Sequence, residues 1–326
     1  MKSFDKKIKF FLRILGPIIF LYILSKIDYQ LLFKKLGSLK WSWLILAFVL
    51  MILEIIARSL RWQTILNSLK IFISKINSLT LYWLGAFVSV ITPGRLGEVI
   101  KVYFLKHKNY SVFRSLLSII LDRIIDILII LILGALISFF FVENVGLYVV
   151  VSGVILVLAI IFVFLLIGEE TRVNKIFTRL VQKFFSIDFG KYGRFTFAKL
   201  WQGIKNLKKK DVVCFLLYLI IGWLFYFLAR YIIALSLNLD LSFLAVSIIS
   251  ILATIVTILP ISIAGIGTRE AAIIYLFGLF GINKEPALLF SLLILTIDMV
   301  VISLGFIPYL KESSLINRAK TEKVMK

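Results

Sequence analysis

The chain has 326 residues, 61% of them hydrophobic, and a mean hydropathy of +1.04. Soluble domains are roughly 45–50% apolar, so this composition excludes an ordinary soluble enzyme and indicates a multi-pass membrane protein. The net charge of +21 would suggest nucleic acid in a soluble protein. In a membrane protein it is explained by the positive-inside rule and by anionic headgroups, so we expect no nucleic-acid partner.

The chain contains one cysteine, Cys214, and one histidine, His107. A single thiol cannot form an intramolecular disulfide and gives no support for a thiol metal cluster. A lone histidine between two lysines is more typical of an exposed juxtamembrane position than of a zinc site or a catalytic triad. We therefore predict no metal site and no cofactor.

Long apolar runs predict an all-α membrane bundle with about six full transmembrane helices. The basic, then apolar N-terminus resembles a signal peptide, but no small-residue cleavage site follows it, so we interpret it as an uncleaved first helix. Three charged residues, Glu54, Arg58 and Arg61, are expected to close the second span. The predicted spans are residues 13–25, 41–57, 115–141, 147–167, 212–235 and 287–310.

Charge bias in the loops predicts the topology. The basic N-terminus, the stretch 169–210 and the tail 311–326 are expected in the cytoplasm. Segment 79–108 must then enter and leave from the cytoplasm, and segment 244–285 from the outside. One observation opposes this orientation, because the predicted outer loop after the first span contains four lysines: Lys26, Lys34, Lys35 and Lys40.

We predict a single domain over residues 1–326, with halves 1–168 and 211–310 related by an inverted-topology pseudo-symmetry. Each half contains one re-entrant or broken hairpin, as in inverted-repeat transporters. Irregular backbone at membrane depth must be buried in protein or line a wet cavity; the alternative is two interfacial loops with one Arg–Glu pair each. The residues predicted to break the helices are Pro93, Gly94, Gly97, Pro260, Gly265 and Gly267.

The two breaks carry the residues with the clearest chemistry. A half-helix that begins after a break directs its free N–H groups toward the cavity, and an arginine adds a forked donor suited to phosphate. We predict two anion sites, formed by Arg95 with Glu98 and by Arg269 with Glu270.

Charged residues within spans need partners or a function. Glu54, Arg58 and Arg61 share one helix face; a Glu54–Arg58 pair would leave Arg61 free for a phosphate or another carboxylate. The alternative is a snorkelling helix end with a local salt bridge. We include Arg58 and Arg61 among the predicted headgroup-binding residues.

Two carboxylates, Asp122 and Asp126, lie one turn apart on the next span and repel unless cations separate them. Candidate cations are Arg95, Arg58 and Arg61, since Arg123 is displaced by about 100° from the Asp122 position. A proton or metal relay is the alternative. We predict that cavity charge partners for the anion sites include Glu54, Lys101, Asp122, Arg123 and Asp126.

In the second half, Tyr226 and Arg230 share a face of one span. Arg230 lies far enough into the apolar run to need a partner or an anion, and we include it among the headgroup-binding residues. Asp298, within the last span, is a candidate counter-charge for Arg269 or Arg230. Residues 172–184 form an amphipathic helix that we expect on the inner leaflet.

Four motifs occur in order along the chain: RSLRW at 58–62, TPGRLGEVIKVYFL at 92–105, LDRIID at 121–126 and LPISIAGIGTREAAI at 259–273. Together they resemble the successive motifs of the lysylphosphatidylglycerol synthase transmembrane family. This is the flippase-like membrane domain of aminoacyl-phospholipid synthases and of many stand-alone proteins. The resemblance covers most of the chain, and four linked motifs are far more specific than one.

The resemblance implies a polytopic domain that moves lipids between leaflets. It also implies that Arg95, Glu98, Arg269 and Glu270 belong to the conserved core of the family. The synthases carry a cytosolic aminoacyltransferase domain after the membrane region, whereas this chain stops at Lys326. We therefore expect a stand-alone member that does not transfer lysine to lipid.

The function predicted from the sequence is a lipid flippase or scramblase-like translocase, and not an enzyme. Its cargo would be a phospholipid, an aminoacyl phospholipid or a polyprenyl-phosphate glycolipid. The alternatives are an ion-coupled transporter of a small soluble anion, a membrane glycosyl- or acyltransferase, and an accessory subunit. Expected partners are lipids with anionic phosphate headgroups, a second copy of the chain and a separate synthase that supplies the lipid. The expected location is a prokaryotic cell membrane, with both termini cytoplasmic.

Overall fold

The computed structural model describes residues 15–91, 97–141, 209–258 and 265–307. These residues are helices joined by short turns, with no strand among them, so the prediction of an all-α membrane protein is confirmed. The predicted span 147–167, the amphipathic stretch 172–184 and the tail 311–326 lie outside the described residues.

Ten helices are described, and they are numbered in chain order. Their bounds are α1 Leu15–Ser25, α2 Tyr29–Gly37, α3 Trp41–Ser68, α4 Lys75–Ile91, α5 Ile100–His107, α6 Val112–Phe141, α7 Lys209–Ser236, α8 Phe243–Ile258, α9 Thr268–Gly278 and α10 Lys284–Ser303.

Three helices of the described part, α3, α7 and α10, are long and apolar enough to cross a membrane, and α1 with α2 also pass this criterion as a bent pair. Helix α6 has 30 residues, and residues 127–141 within it carry no charge. The helix that contains the second predicted span, α3, continues without interruption through Arg61 to Ser68, and the end of the span near residue 57 stays a prediction. The total of six crossings stays a prediction.

Both segments predicted to be broken consist of two helices that pack against each other across an interruption. In the first segment α4 and α5 are in contact, and a short helical turn at 97–99 precedes α5. In the second segment α8 contacts α9, which begins after a turn at 265–267. We call these pairs the first and the second hairpin. Their re-entrant course and their inverted relation stay predictions, and Pro93, Gly94, Arg95 and Pro260 lie outside the described residues.

The chain divides into two compact units. The first consists of Met1–Glu54 with Gly222–Val301, and the second of Ile55–Ile221 with Ile302–Lys326. The first unit contains the second hairpin, and the second unit contains the first hairpin. The prediction of one domain with halves 1–168 and 211–310 is a statement about the whole chain and stays a prediction.

The core of the second unit joins the end of α3 to the start of α6. Ile65 and Leu69 of α3 pack against three buried side chains of α6: Phe113, Leu117 and Leu121. On another side of α6, Leu116 and Ile119 pack against Val102 of α5. This packing fixes the short helix α5, and with it the residues that follow the first break, to the long helix α6.

Glycines allow close backbone approach at both interruptions. Gly267 has a φ of 86°, and a Cβ at this position would collide with the backbone carbonyl of Gly16 on α1. A Cβ on Gly97 would collide with the backbone at Val88. Side chains are therefore excluded from both positions, the first by conformation and by space and the second by space alone.

Candidate functional site

Helices α3 and α6 are joined by a buried ion cluster within the second unit. The Arg61 side chain is 1% exposed, and its Nη2 and Nε lie 2.7 and 3.0 Å from Oδ1 of Asp122. Its Nη1 donates to Oδ1 of Asp126 at 2.7 Å. Of the two partners considered for Arg61 from the sequence, a phosphate or another carboxylate, the described contacts are with carboxylates: Asp122 and Asp126, on consecutive turns of α6, bind its three side-chain nitrogens.

Arg123 links this cluster to the first hairpin. Its Nε lies 3.1 Å from Oε1 of Glu98, and its Nη2 lies 3.2 Å from Oδ2 of Asp122 and 3.6 Å from Oδ2 of Asp126. Nη2 also donates to the Tyr82 hydroxyl on α4 at 3.2 Å. The Arg123 side chain is 34% exposed, compared with 1% for Arg61. Arg123 is thus the more accessible cation, while its guanidinium is held in a fixed orientation.

Arg58 completes the arginine side of the cluster. Its Nη1 donates to Oδ2 of Asp126 at 3.3 Å, and its side chain is 18% exposed. Of the three arginines proposed from the sequence to separate the two aspartates, Arg58 and Arg61 do so. The third, Arg95, lies outside the described residues. Arg123 was not among these three candidates because of its angular position on the helix, but its guanidinium contacts both aspartates.

Lys101 is a buried cation on α5, only 1% exposed. Its Nζ lies 3.0 Å from Oε2 of Glu98 and above two aromatic rings, 4.3 Å from the centroid of Tyr82 and 4.8 Å from that of Trp62. The rings' negative faces stabilise the ammonium in place of water. Its aliphatic stem fills the space beside Gly85, where a Cβ would collide with it.

The second hairpin holds its charges within a few residues. Arg269 Nη2 lies 2.5 Å from Oε1 of Glu270, and Arg269 Nε donates to the Ser291 hydroxyl at 3.0 Å. The other carboxylate oxygen of Glu270 accepts the backbone N–H of Gly267 at 2.5 Å. The Glu270 carboxylate therefore neutralises Arg269 and also caps the N-terminus of α9.

Arg230 lies apart in sequence from the second hairpin but within the same unit. Its Nη2 lies 3.2 and 3.3 Å from the two oxygens of Asp298, and its guanidinium carbon lies 4.7 Å from the centroid of the Tyr226 ring. Tyr226 in turn shares a hydrogen bond of 2.7 Å with Thr254 on α8. The Glu54 carboxylate adds a favourable charge interaction with Arg230. Of the two arginines expected to pair with Asp298, Arg230 is the one that does so.

Several contributors were not predicted from the sequence. They are aromatic residues, small polar residues and one glycine. Each contacts a charged or aromatic side chain far away in the chain, so no local pattern in the sequence marks it. Among the described residues no group of three or more His, Cys, Asp or Glu side chains is arranged to hold a metal ion. His107 is exposed, with its Nδ1 2.9 Å from the carbonyl of Tyr103. The missed residues are Trp62, Tyr82, Gly85, Thr254, Ser291 and Ser118, whose hydroxyl accepts the indole N–H of Trp62 at 3.2 Å.

The charged residues of the ion cluster on α3 and α6 and of the two hairpins lie on the four motifs singled out in the sequence, whereas Arg230 and Asp298 lie outside them. The model of the family described as lysylphosphatidylglycerol synthase TM region matches residues 10–305. The chain belongs to this family. The resemblance drawn from the motifs is therefore confirmed, and the match covers all ten described helices.

Similar proteins of this family are archaeal membrane proteins. The UPF0104 membrane protein MJ1078 of Methanocaldococcus jannaschii is 26% identical over 250 residues, which are 73% of this chain and 99% of that protein. The UPF0104 membrane protein MJ1595 of the same organism is 26% identical over 314 residues, 86% of this chain and 88% of that protein. PH1989 of Pyrococcus horikoshii is 24% identical over 306 residues, 87% of this chain and 91% of that protein.

Proposed function

We propose that the protein is a lipid translocase, a flippase or scramblase-like carrier that moves a phosphate-bearing lipid between leaflets. The observation that carries this proposal is the ion cluster of the second unit. It places a partly exposed, preoriented arginine beside a broken hairpin in an otherwise apolar helical protein. The family supports a lipid-related role in a membrane, and the specific transport activity is our proposal.

Arg123 is the group we assign to the phosphate. Buried arginines whose donors are all taken by carboxylates are structural, as Arg61 is. Arg123 is more exposed, and its Nη2 is shared among three acceptors at 3.2–3.6 Å. Exchange of these long contacts for a bidentate pair with a phosphate changes the number of charge-assisted bonds little. A headgroup can therefore bind and leave without a large barrier.

Arg95 is the second group in the proposed site. It precedes Glu98 by three residues, and Glu98 is the carboxylate that binds Arg123. Arg95 lies outside the described residues, and we propose from its place in the sequence and the suitability of a guanidinium that it binds the same phosphate. We propose that Glu98 and Lys101 set the orientation of Arg123 and do not contact the headgroup themselves.

The proposed cargo is a lipid with its headgroup in the polar site and its chains in the bilayer. A phospholipid, an aminoacyl phospholipid or a polyprenyl-phosphate glycolipid satisfies this description. Transport leaves the lipid chemically unchanged, so the protein is proposed to act as a carrier and not as an enzyme. The proposed location is the cell membrane, with both termini in the cytoplasm.

The test is transport by the full-length protein in liposomes that contain fluorescent lipids of different headgroups. Loss of leaflet asymmetry is followed by quenching of the outer leaflet with dithionite. We expect Arg123→Gln to slow transport by about tenfold to a hundredfold, the range that corresponds to one charge-assisted hydrogen bond. Arg114→Gln is the matched control, because Arg114 lies on the same helix and is exposed.

Arg123→Lys separates charge from geometry. It keeps the positive charge but loses the forked donor, so we expect a rate between those of the wild type and Arg123→Gln. Absence of transport for every phosphate-bearing lipid contradicts the proposal. Uptake of a soluble anion into the same vesicles, without lipid movement, would establish the alternative carrier of small anions.

A further inference from the structure

Between α1 and α3 the chain forms a short helix, α2, at a right angle to α1. Helix α1 ends at Ser25, and α2, with nine residues, is turned by 89° relative to it. At 1.5 Å per residue α2 is about 13 Å long, whereas the 28 residues of α3 extend over about 42 Å. Helix α3 is long enough to cross the membrane by itself and α2 is not, and the right angle between α1 and α2 allows α2 to lie along the membrane surface where α3 begins.

Both ends of α2 are tied to neighbouring elements of the first unit. At its N-terminus the Asp28 carboxylate accepts the backbone N–H groups of Gln30 and Leu31, which caps the helix. The backbone N–H of Asp28 donates to the buried carboxylate of Glu285 at the start of α10, at 3.2 Å. After its C-terminus the N–H of Lys40 donates to the carbonyl of Ser236, at the end of α7. The orientation of α2 is therefore fixed at both ends.

One face of α2 consists of exposed apolar side chains. Tyr29, Phe33 and Leu36 follow the i, i+4, i+7 spacing of a single helix face. They are 49%, 65% and 39% exposed within the protein. Trp41, at the start of α3, is 68% exposed. A tyrosine and a tryptophan at this position are typical of the boundary between headgroups and acyl chains.

The other two faces of α2 complete an interfacial pattern. Gln30 and Lys34 are exposed and lie about 100° and 140° from Tyr29 around the helix axis, at 100° per residue. Leu31 and Leu32 are half-buried and lie on the remaining side, toward the protein. The helix thus presents an apolar face, a polar basic face and a face that packs on its own unit.

We propose that α2 is a docking surface for the anionic headgroup layer of the bilayer. Its apolar face enters the boundary of the acyl chains, and Lys34 on its basic face contacts the phosphates above them. Lys35 is half-buried and lies on the side of Leu31 and Leu32, toward the protein. The segment from residue 26 to residue 40 contains four lysines and a single acidic residue, Asp28, whose carboxylate is used as the helix cap. This charge balance favours an anionic surface over a zwitterionic one.

A second copy of the chain is the other occupant to consider. A stable interface buries roughly 800 Å² on each partner, and three side chains on a nine-residue helix fall well short of that area. The basic face would also repel its own copy. A lipid surface, by contrast, matches the apolar and the basic face at the same time and needs no partner of complementary shape.

The proposal accounts for the lysines that opposed the predicted topology. Lys26, Lys34, Lys35 and Lys40 follow the first span directly. If they bind headgroups at an interfacial helix, they do so in whichever leaflet α2 lies, and they carry less information about orientation than lysines in a solvated loop.

The first experiment measures the depth of α2 in a bilayer. The full-length protein with Cys214→Ser receives a spin label through Phe33→Cys or through Lys34→Cys and is reconstituted in equimolar phosphatidylcholine and phosphatidylglycerol. The label at 33 is expected to collide mainly with oxygen, and the label at 34 with a water-soluble nickel chelate. Equal access of the chelate to both labels would overturn the proposal, and so would dipolar broadening at 33, which would show a second copy on this face.

The second experiment measures the headgroup preference. The full-length protein is released from nanodiscs of the same lipid mixture, and its retained lipids are counted by native mass spectrometry. Lys34→Gln with Lys40→Gln is expected to lower the retention of phosphatidylglycerol by about fivefold for each lysine. The matched control removes two exposed lysines elsewhere, Lys70→Gln with Lys75→Gln. An equal effect of both pairs, or an equal loss of phosphatidylcholine, would contradict the assignment.

Discussion

The two hairpins carry similar charged motifs after their interruptions but balance the charges differently. In the first hairpin Glu98 and Lys101 bind each other and also find partners on other helices: Arg123 on α6 for Glu98, and the rings of Trp62 and Tyr82 for Lys101. In the second, Arg269 and Glu270 are adjacent and bind each other, with Ser291 as the further side-chain partner among the described contacts. The charge balance of the first hairpin therefore depends on several helices of its unit, whereas that of the second hairpin depends mainly on two adjacent residues.

This difference separates two uses of one sequence pattern. A charge shared by several helices changes its contacts when any of those helices moves, so the first hairpin is suited to couple ligand binding to movement. A charge pair confined to one helix start stabilises that start and responds little to its surroundings. The comparison predicts that substitutions affect distant residues in the first hairpin and only local structure in the second.

The largest effect is expected for Asp122→Ala, because this fully buried carboxylate binds both Arg61 and Arg123. Its removal leaves a buried guanidinium undercompensated, which costs about 4 kcal/mol. The melting temperature of the purified protein should fall strongly. Asp240→Ala, at an exposed aspartate, is the control and should leave it unchanged. A small effect of Asp122→Ala would show that Asp126 alone neutralises the arginines.

Glu270→Gln is expected to destabilise the protein by about 3 kcal/mol, since it removes the charge that neutralises Arg269 while an amide oxygen can still accept the Gly267 N–H. Hydrogen exchange should increase at the start of α9 and nowhere in the second unit. Increased exchange at α5 or α6 would contradict the local character of this pair.

Gly267→Ala tests the turn that precedes α9. The alanine would have to adopt a φ near 86° and would meet the Gly16 backbone; we expect a destabilisation of about 2 kcal/mol. Gly278→Ala is the matched control, because a Cβ at Gly278 meets nothing within 4 Å. Equal melting temperatures for the two variants would show that α1 is not held against this turn.

The smallest effect is expected for Lys101→Met. The replacement fills the same space above Tyr82 and Trp62, and Glu98 keeps Arg123 as a partner, so stability should fall by about 1 kcal/mol. Lipid transport should nevertheless slow, because Arg123 would be drawn more strongly to Glu98. Unchanged transport would show that Lys101 does not influence the orientation of Arg123.

The sequence predicted the charged residues of these clusters better than their connections. Helical periodicity placed Asp122 with Asp126 and Tyr226 with Arg230, and the high cost of isolated charges in a membrane required partners for them. The partner of Arg61 was left open between a phosphate and a carboxylate, since a face of one helix does not show which face of another helix meets it.

Three features were beyond the reach of local patterns. The carboxylates on α6 that bind Arg58 and Arg61 could not be chosen from the sequence of α3 alone. Lys101 was predicted as a cavity charge partner, but its aromatic contacts were not, since the two rings lie 19 and 39 residues earlier in the chain. Helix α2 was predicted as a loop. Its nine residues mix apolar, polar and basic side chains, and so short a segment gives no clear hydropathy signal.

The contact between Gly267 and Gly16 has a consequence for biosynthesis. The first unit consists of two segments of the chain, one on each side of residues 55–221, so these 167 residues are translated between its two parts. At usual translation rates this interval takes on the order of ten seconds. Helix α1 is therefore synthesised well before its partner, and it must remain accessible until the turn at Gly267 has been made.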